Sequence, residues 1–146
     1  MEDNDNIYLI LIGLGYPRVD EMIEKFPDRV INSEASEQTA MDIAVGLAYS
    51  GKIPVTYTIM PFYYRAWETL RTYINRESLH IIMIGAGVKE EYGEHDGFSH
   101  SASDAPVMFS TLKKIKQYYP DTKDELITAM NMARITPTPA FINIHR

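Results

Sequence analysis

Two nearly unbroken apolar runs, Ile7 to Ile12 and Leu79 to Ile84, limit this chain's fold more than any other feature. Neither alternates apolar with polar, as a strand with one wet face does, and both end at glycine, in Gly13 and in Gly85-Ala86-Gly87. Strands that are apolar on both faces belong inside a parallel sheet covered on both sides. Parallel neighbours need crossover connections, so helices should separate the strands, and the rest of the sequence supplies them. Pro17 and Asp20 introduce Val19, Met22, Ile23 and Phe26 at helical spacing. Arg29 to Asn32 reads as a short strand and Gln38 to Ser50 as a helix with almost no polar face, stopped by Gly51. Pro54 to Ile59 is a third strand, and Pro61 starts a helix running to about Asn75. Lys114 to Tyr118 is a weak strand, Asp121 to Ala133 a helix capped by Asp121, and Ala140 to Ile144 a last strand. The expectation is one α/β domain over residues 1–146, with a largely parallel sheet and helices on both faces.

Composition excludes several classes of function. A net charge of −6 with no dense basic cluster repels phosphate backbones and anionic lipids, so neither nucleic acid nor membrane is expected as a partner. The longest apolar run is too short to span a bilayer and lacks the basic flank of a signal peptide. With no cysteine there is neither a disulfide framework nor a thiolate metal site, which suits a reducing, cytoplasmic setting.

Chemistry concentrates in a few places. In Asn32-Ser33-Glu34-Ala35-Ser36-Glu37-Gln38, Glu37 stands where a strand gives way to a helix. Open α/β sheets bind ligands beyond the carboxyl ends of their strands, so an acid here can reach chemistry; it can equally answer the positive end of a helix dipole. Gly13-Leu14-Gly15 follows a strand but lacks the third glycine of a dinucleotide fingerprint, which favours a plain tight turn. From Val88 to Pro106 the chain has no periodicity, and a loop this long is more often functional than idle. It holds His95 and His100, five residues apart with a glycine between them, an arrangement that shares no helical face and argues against a metal. A histidine and an aspartate on such a loop suit contact with a substrate or cofactor. Phe62, Tyr63, Tyr64 and Trp67 crowd the start of one helix and read as core, although Phe62 at the sheet edge could also face a flat heterocycle.

Together these segments resemble the pyrimidine-binding domain of the transketolase family of thiamine diphosphate enzymes, which includes deoxyxylulose phosphate synthase. Phe26 to Asn32 resembles the family's lead-in, Glu34 to Gln38 its "GIAEQ" motif, Ala44 to Ala48 the helix that follows, and Phe62 with Arg65-Ala66 its aromatic segment. Asp96 to His100 resembles the "DGxTH" loop, and Pro139 to Ile144 the domain's last strand. The resemblance spans most of the chain and rests on the order and separation of these motifs.

The resemblance implies that Glu37 is the acid that bonds the ring nitrogen of the cofactor's aminopyrimidine and drives its amino group to the imino form. It implies that Phe62 stacks on that ring, that Ile59 walls the same pocket, and that His100, Asp96 and Arg65 meet the substrate, His100 with a catalytic role. Three departures bear on the substrate contacts: Glu34 replaces a glycine, Ser101 replaces a glutamine, and His95 lies in the approach to Asp96. No Gly-Asp-Gly segment with a following asparagine is present to hold magnesium and the diphosphate, nor is the family's third domain, nor the helix that usually precedes its first strand. The implied protein is the small subunit of a split transketolase-like enzyme that moves a ketol unit between sugar phosphates or related carbonyl compounds. It would be inactive alone, and would form a heterotetramer with a separate diphosphate-domain subunit that holds Mg2+, docked on the helix from Gln38 to Ser50. Decarboxylation or carboligation of a 2-oxo acid on the same cofactor, and a non-catalytic module of the same fold, are the alternatives.

Overall fold

The computed structural model describes residues 1–13 and 17–146, so Leu14 and Gly15 of the glycine turn lie outside the described residues. The strands are β1 (Ile7–Leu11), β2 (Val30–Asn32), β3 (Ile53–Ile59), β4 (Ile82–Ala86), β5 (Lys116–Tyr118) and β6 (Ala140–Ile144). They form one six-stranded sheet in the order β2-β1-β3-β4-β6-β5, parallel at every pairing. The helices are α1 (Pro17–Lys25), α2 (Glu37–Tyr49), α3 (Trp67–Thr69), α4 (Gly93–Asp96), α5 (Ala105–Ser110) and α6 (Lys123–Ile135).

Successive side chains of each strand enter opposite layers, as the pleat requires. Ile10, Met83 and Phe141 pack in the layer that contains Met41, Tyr63, Leu70 and Phe109, whereas Leu9, Leu11, Ile82 and Ile142 pack with Ala129 and Ala133 of α6 and, at its edge, Val19 and Met22 of α1. Helix α2 buries Ala40, Met41, Ala44 and Val45 against the sheet and leaves Tyr49 well exposed.

Several boundaries differ from the sequence expectation, each for a local reason. β4 begins at Ile82 and runs through Gly85 to Ala86, so the expected turn glycine is a strand residue. A Cβ at Gly85 would come within 3.1 Å of both Met60 and Phe141, so a side chain here would push those neighbours aside and glycine eases the close passage. The cap of α6 is Thr122, not Asp121: its hydroxyl accepts from Glu125 N at 3.2 Å while Glu125 accepts from Thr122 N at 3.3 Å, a reciprocal box. The stretch from Val88 to Pro106 is interrupted by α4 and a 3₁₀ turn, Phe98–His100, and flows into α5, whose six residues are too short to show a period.

The expected single helix after Pro61 is composite. Met60–Ala66 winds as a 3₁₀-helix, α3 adds one turn, and Leu70–Asn75 is wound more widely as a π-helix. Tyr63 pins this segment to the sheet. Its fully buried hydroxyl donates to the carbonyl oxygens of Thr56 (3.1 Å) and Ile84 (3.0 Å) and lies 2.8 Å from the Thr56 hydroxyl. Burial pushes its ionisation far above the ordinary tyrosine range, so the group works as a neutral donor. Tyr63→Phe should therefore destabilise the fold by about 1 kcal/mol through the buried hydroxyl's lost hydrogen bonds, measured by urea unfolding.

Candidate active site

The chain from β1 returns through α1 to β2 on one side and then crosses through α2 to β3 on the other, so β1 and β3 flank a switch point of the sheet. The turn leading to α2 is anchored at that point. Ser33 N donates to the Leu11 carbonyl at 2.9 Å and the Ser33 hydroxyl to the same oxygen at 3.1 Å. Glu34 then adopts φ +52°, the left-handed region, with its amide held by the Asn32 side chain at 3.1 Å. The motif this turn resembles has glycine there, and a residue without a Cβ adopts that conformation freely.

This turn delivers Glu37 to the first position of α2, where its residue is 6% exposed. Ser36 before it makes no side-chain cap. The Glu37 carboxylate is instead paired with the guanidinium of Arg65, whose side chain is 53% exposed. Arg65 lies in the 3₁₀ segment, where side chains three residues apart eclipse, and its guanidinium carbon lies 4.4 Å from the centroid of the Phe62 ring. Phe62 in turn meets His100 edge-to-face at 5.0 Å. Glu37, Arg65, Phe62 and His100 thus form one continuous run of contacts from α2 to the loop before α5. Next to it, Gln38 donates to Thr69 Oγ1 at 2.6 Å and Thr69 to Asp42 at 2.8 Å, which ties α2 to α3.

The other expected site residues are placed less closely. Ile59 closes β3, half-buried and paired with Ala86, immediately before the segment that bears Phe62. Asp96 is exposed at the end of α4, and among the described residues its side chain makes no hydrogen bond or ion pair. Arg65, expected at the substrate, is paired with Glu37, a partnership invisible to sequence patterns because twenty-eight residues separate the two. Also unforeseen was the Tyr64 hydroxyl bond to Asp104 at 2.7 Å, which fastens the 3₁₀ segment to the start of α5.

Among the described residues no group of three or more His, Asp or Glu side chains is placed to hold a metal, and no helix is long and apolar enough to cross a membrane. A cavity of about 480 Å³ lies beside β5 and α6, lined by Gln117, Tyr119, Asp124 and Glu125 among others, and contains none of the expected site residues.

Residues 14–146 match the family model described as the transketolase pyrimidine-binding domain. One of the subunits of apulose-4-phosphate transketolase from Actinobacillus succinogenes is 27% identical over 128 residues, covering 87% of this chain and 41% of that protein. Human transketolase is 30% identical over 124 residues, covering 84% of this chain and 20% of that protein. Among solved structures, a split-gene transketolase described as an inactive β4 tetramer superposes with a TM-score of 0.84 at 24% identity, over 99% of this chain and 47% of that one. Transketolase from Leishmania mexicana gives 0.84 at 17% identity, over 96% and 22%. These superpositions establish the fold, and the chain spans less than half the length of each of these relatives.

The loop that bears His100 is held at its base by Glu91. One of its carboxylate oxygens lies 2.6 Å from His145 Nδ1, and the other accepts from the amides of Val88 and Arg146, both at 3.0 Å. Asp121 meets the other ring nitrogen at 3.1 Å. The Glu91 bond, followed by that of Asp121, raises the pKa of His145 above its ordinary 6.5. A raised folded-state pKa gives a clamp that is complete below pH 6.5 and is lost as pH rises through the folded value. In an NMR titration His145 should titrate above 6.5, and Glu91→Gln should bring it down towards that value.

Proposed function

The chain belongs to the family of transketolase pyrimidine-binding domains, and on that premise we propose that it is the pyrimidine-domain subunit of a split, thiamine diphosphate-dependent transketolase-like enzyme. Residues 1–146 form one such domain in this reading. The observation that supports it most is Glu37: a carboxylate almost wholly removed from solvent, at the first turn of α2 beside the β1–β3 switch point, and joined through Arg65 to the Phe62 ring. Burying a carboxylate costs several kcal/mol unless it is paired, and the partner here is a half-exposed arginine that can leave the site to another donor.

The donor set fits an aminopyrimidine. Glu37 offers an acceptor that can hold and return a proton at a ring nitrogen, and Phe62 offers a ring face at the same spot. The Arg65 guanidinium, a planar cation, already meets both, which supports the carboxylate and the ring acting together on a flat nitrogenous group. Ile59 at the end of β3 would exclude water from the same ring. His100, whose ring edge meets Phe62, and Asp96 on the loop would serve a substrate's carbonyl and hydroxyls. Thiamine diphosphate, when bound, supplies the carbanion chemistry, while the chain supplies orientation and a proton site.

The other half of such a site, the diphosphate and its Mg2+, is assigned to a separate diphosphate-domain subunit in a heterotetramer with two copies of each chain. The docking surface would be the outer side of α2, where Ile43, Leu47 and Ala48 are only partly covered. The absence of cysteine supports a cytoplasmic setting for the assembly. The substrates would be ketose donors and carbonyl acceptors, such as sugar phosphates.

Co-expression with a candidate diphosphate-domain subunit tests this. The assembly should bind thiamine diphosphate and turn over a ketose donor. Glu37→Ala should lower kcat by about a hundredfold or more, as loss of an acid–base group does. Phe62→Ala should mainly weaken cofactor binding, about three- to tenfold. Full activity in Glu37→Ala would remove Glu37 from the mechanism.

A further inference from the structure

We propose that Arg65 is an internal stand-in for the cofactor's aminopyrimidine, and that binding of the cofactor releases its guanidinium from Glu37; this rests on the function proposed above. The guanidinium is planar, donates N–H to the Glu37 carboxylate and lies 4.4 Å from the Phe62 ring centroid. Those are the two interactions assigned to the pyrimidine, one with the carboxylate and one with the ring. Both cannot be made to the same carboxylate oxygen and ring face at once, so Arg65 and the cofactor compete.

The chain is built for such an exchange. Glu37 is buried and cannot leave, because the anchored turn and the first turn of α2 fix it. Arg65 is more than half exposed on a long side chain, and among the described residues no other carboxylate holds it. The exposed arm can swing away at little cost once another donor takes over the buried acid, since a half-exposed guanidinium regains water and its ordering costs entropy. When the cofactor is absent, the pair keeps the buried carboxylate from standing alone, which would be more costly. The same Arg65 is the residue assigned to the substrate. A guanidinium that becomes free only after the cofactor has taken Glu37 makes substrate binding follow cofactor binding, and the two sites are coupled through one side chain.

Competition lowers apparent affinity by the fraction of molecules in which the site is open. With Arg65 paired in most molecules, removing the guanidinium should tighten binding about fivefold. The probe is thiamine, which carries the aminopyrimidine without the diphosphate, titrated by NMR into the full chain. Arg65→Met, which keeps the apolar stem, and Arg65→Ala should both bind it about fivefold more tightly than wild type, whereas Arg65→Lys, a point charge without a flat fork, should fall between. In the assembled enzyme Arg65→Met should lower the Kd for thiamine diphosphate while raising the substrate KM, opposite changes that loss of packing does not produce. Equal or weaker thiamine binding in both Arg65→Met and Arg65→Ala, with Glu37→Ala still abolishing it, overturns the stand-in role alone. Thiamine binding that Glu37→Ala and Phe62→Ala leave unchanged, or no thiamine diphosphate binding by the assembled enzyme, overturns the proposed function and the stand-in together.

Discussion

Everything in this structure follows from strands that are apolar on both faces and pair in parallel. Such strands cannot be joined by tight turns, so each connection must cross a face of the sheet, and each crossing covers the apolar residues beneath it. Because α1 carries the chain to β2 on one side of β1 and α2 returns it to β3 on the other, the turn before α2 opens beside the carboxyl ends of β1 and β3. Glu37 is therefore placed by topology before any detail of the site is set. The Ser33 bonds to Leu11 refine that placement, and the left-handed Glu34 completes the turn.

The aromatic side of the site depends on a second constraint, the burial of the Tyr63 hydroxyl. Three oxygen atoms of β3 and β4 surround that group, so the segment after Pro61 must lie flat on the sheet. Its first seven residues wind as a 3₁₀-helix, which aligns Phe62 and Arg65 on one edge and brings the guanidinium over the ring. A regular α-helix would rotate the two apart by a further fraction of a turn. Fold and site are thus joined through one buried hydrogen-bonding group that takes no part in the chemistry proposed.

The sheet was legible in the sequence because apolar runs and glycine stops are local signals, and all six strands were located to within a few residues. The ends of β4 differ from the sequence expectation because Gly85 sits in the close passage beside Met60 and Phe141, and a glycine in a tight passage looks the same in sequence as one that makes a turn. The composite character of the segment after Pro61 was hidden for a related reason: its winding is set by Tyr63 bonding to residues on other strands. Within the site, the motifs single out Glu37, Phe62 and His100, and the fold joins the three in one run of contacts through Arg65. The pairing of Arg65 with Glu37 was not legible, since an ion pair between distant residues leaves no periodic trace. Asp96 stays apart from the run, exposed at the end of α4.

Glu37 faces two partners in this account, a guanidinium of its own chain and a ring nitrogen of a cofactor held partly by another subunit. In the proposed function the ring nitrogen takes a proton shared with this carboxylate. Nitrogen NMR of isotope-labelled thiamine diphosphate in the assembled enzyme reads that proton directly. A shared proton should displace the ring-nitrogen resonance towards that of the protonated pyrimidine in the wild-type assembly, and Glu37→Ala should restore it to the free-cofactor position. A wild-type resonance at the free-cofactor position, with the cofactor demonstrably bound, would contradict it.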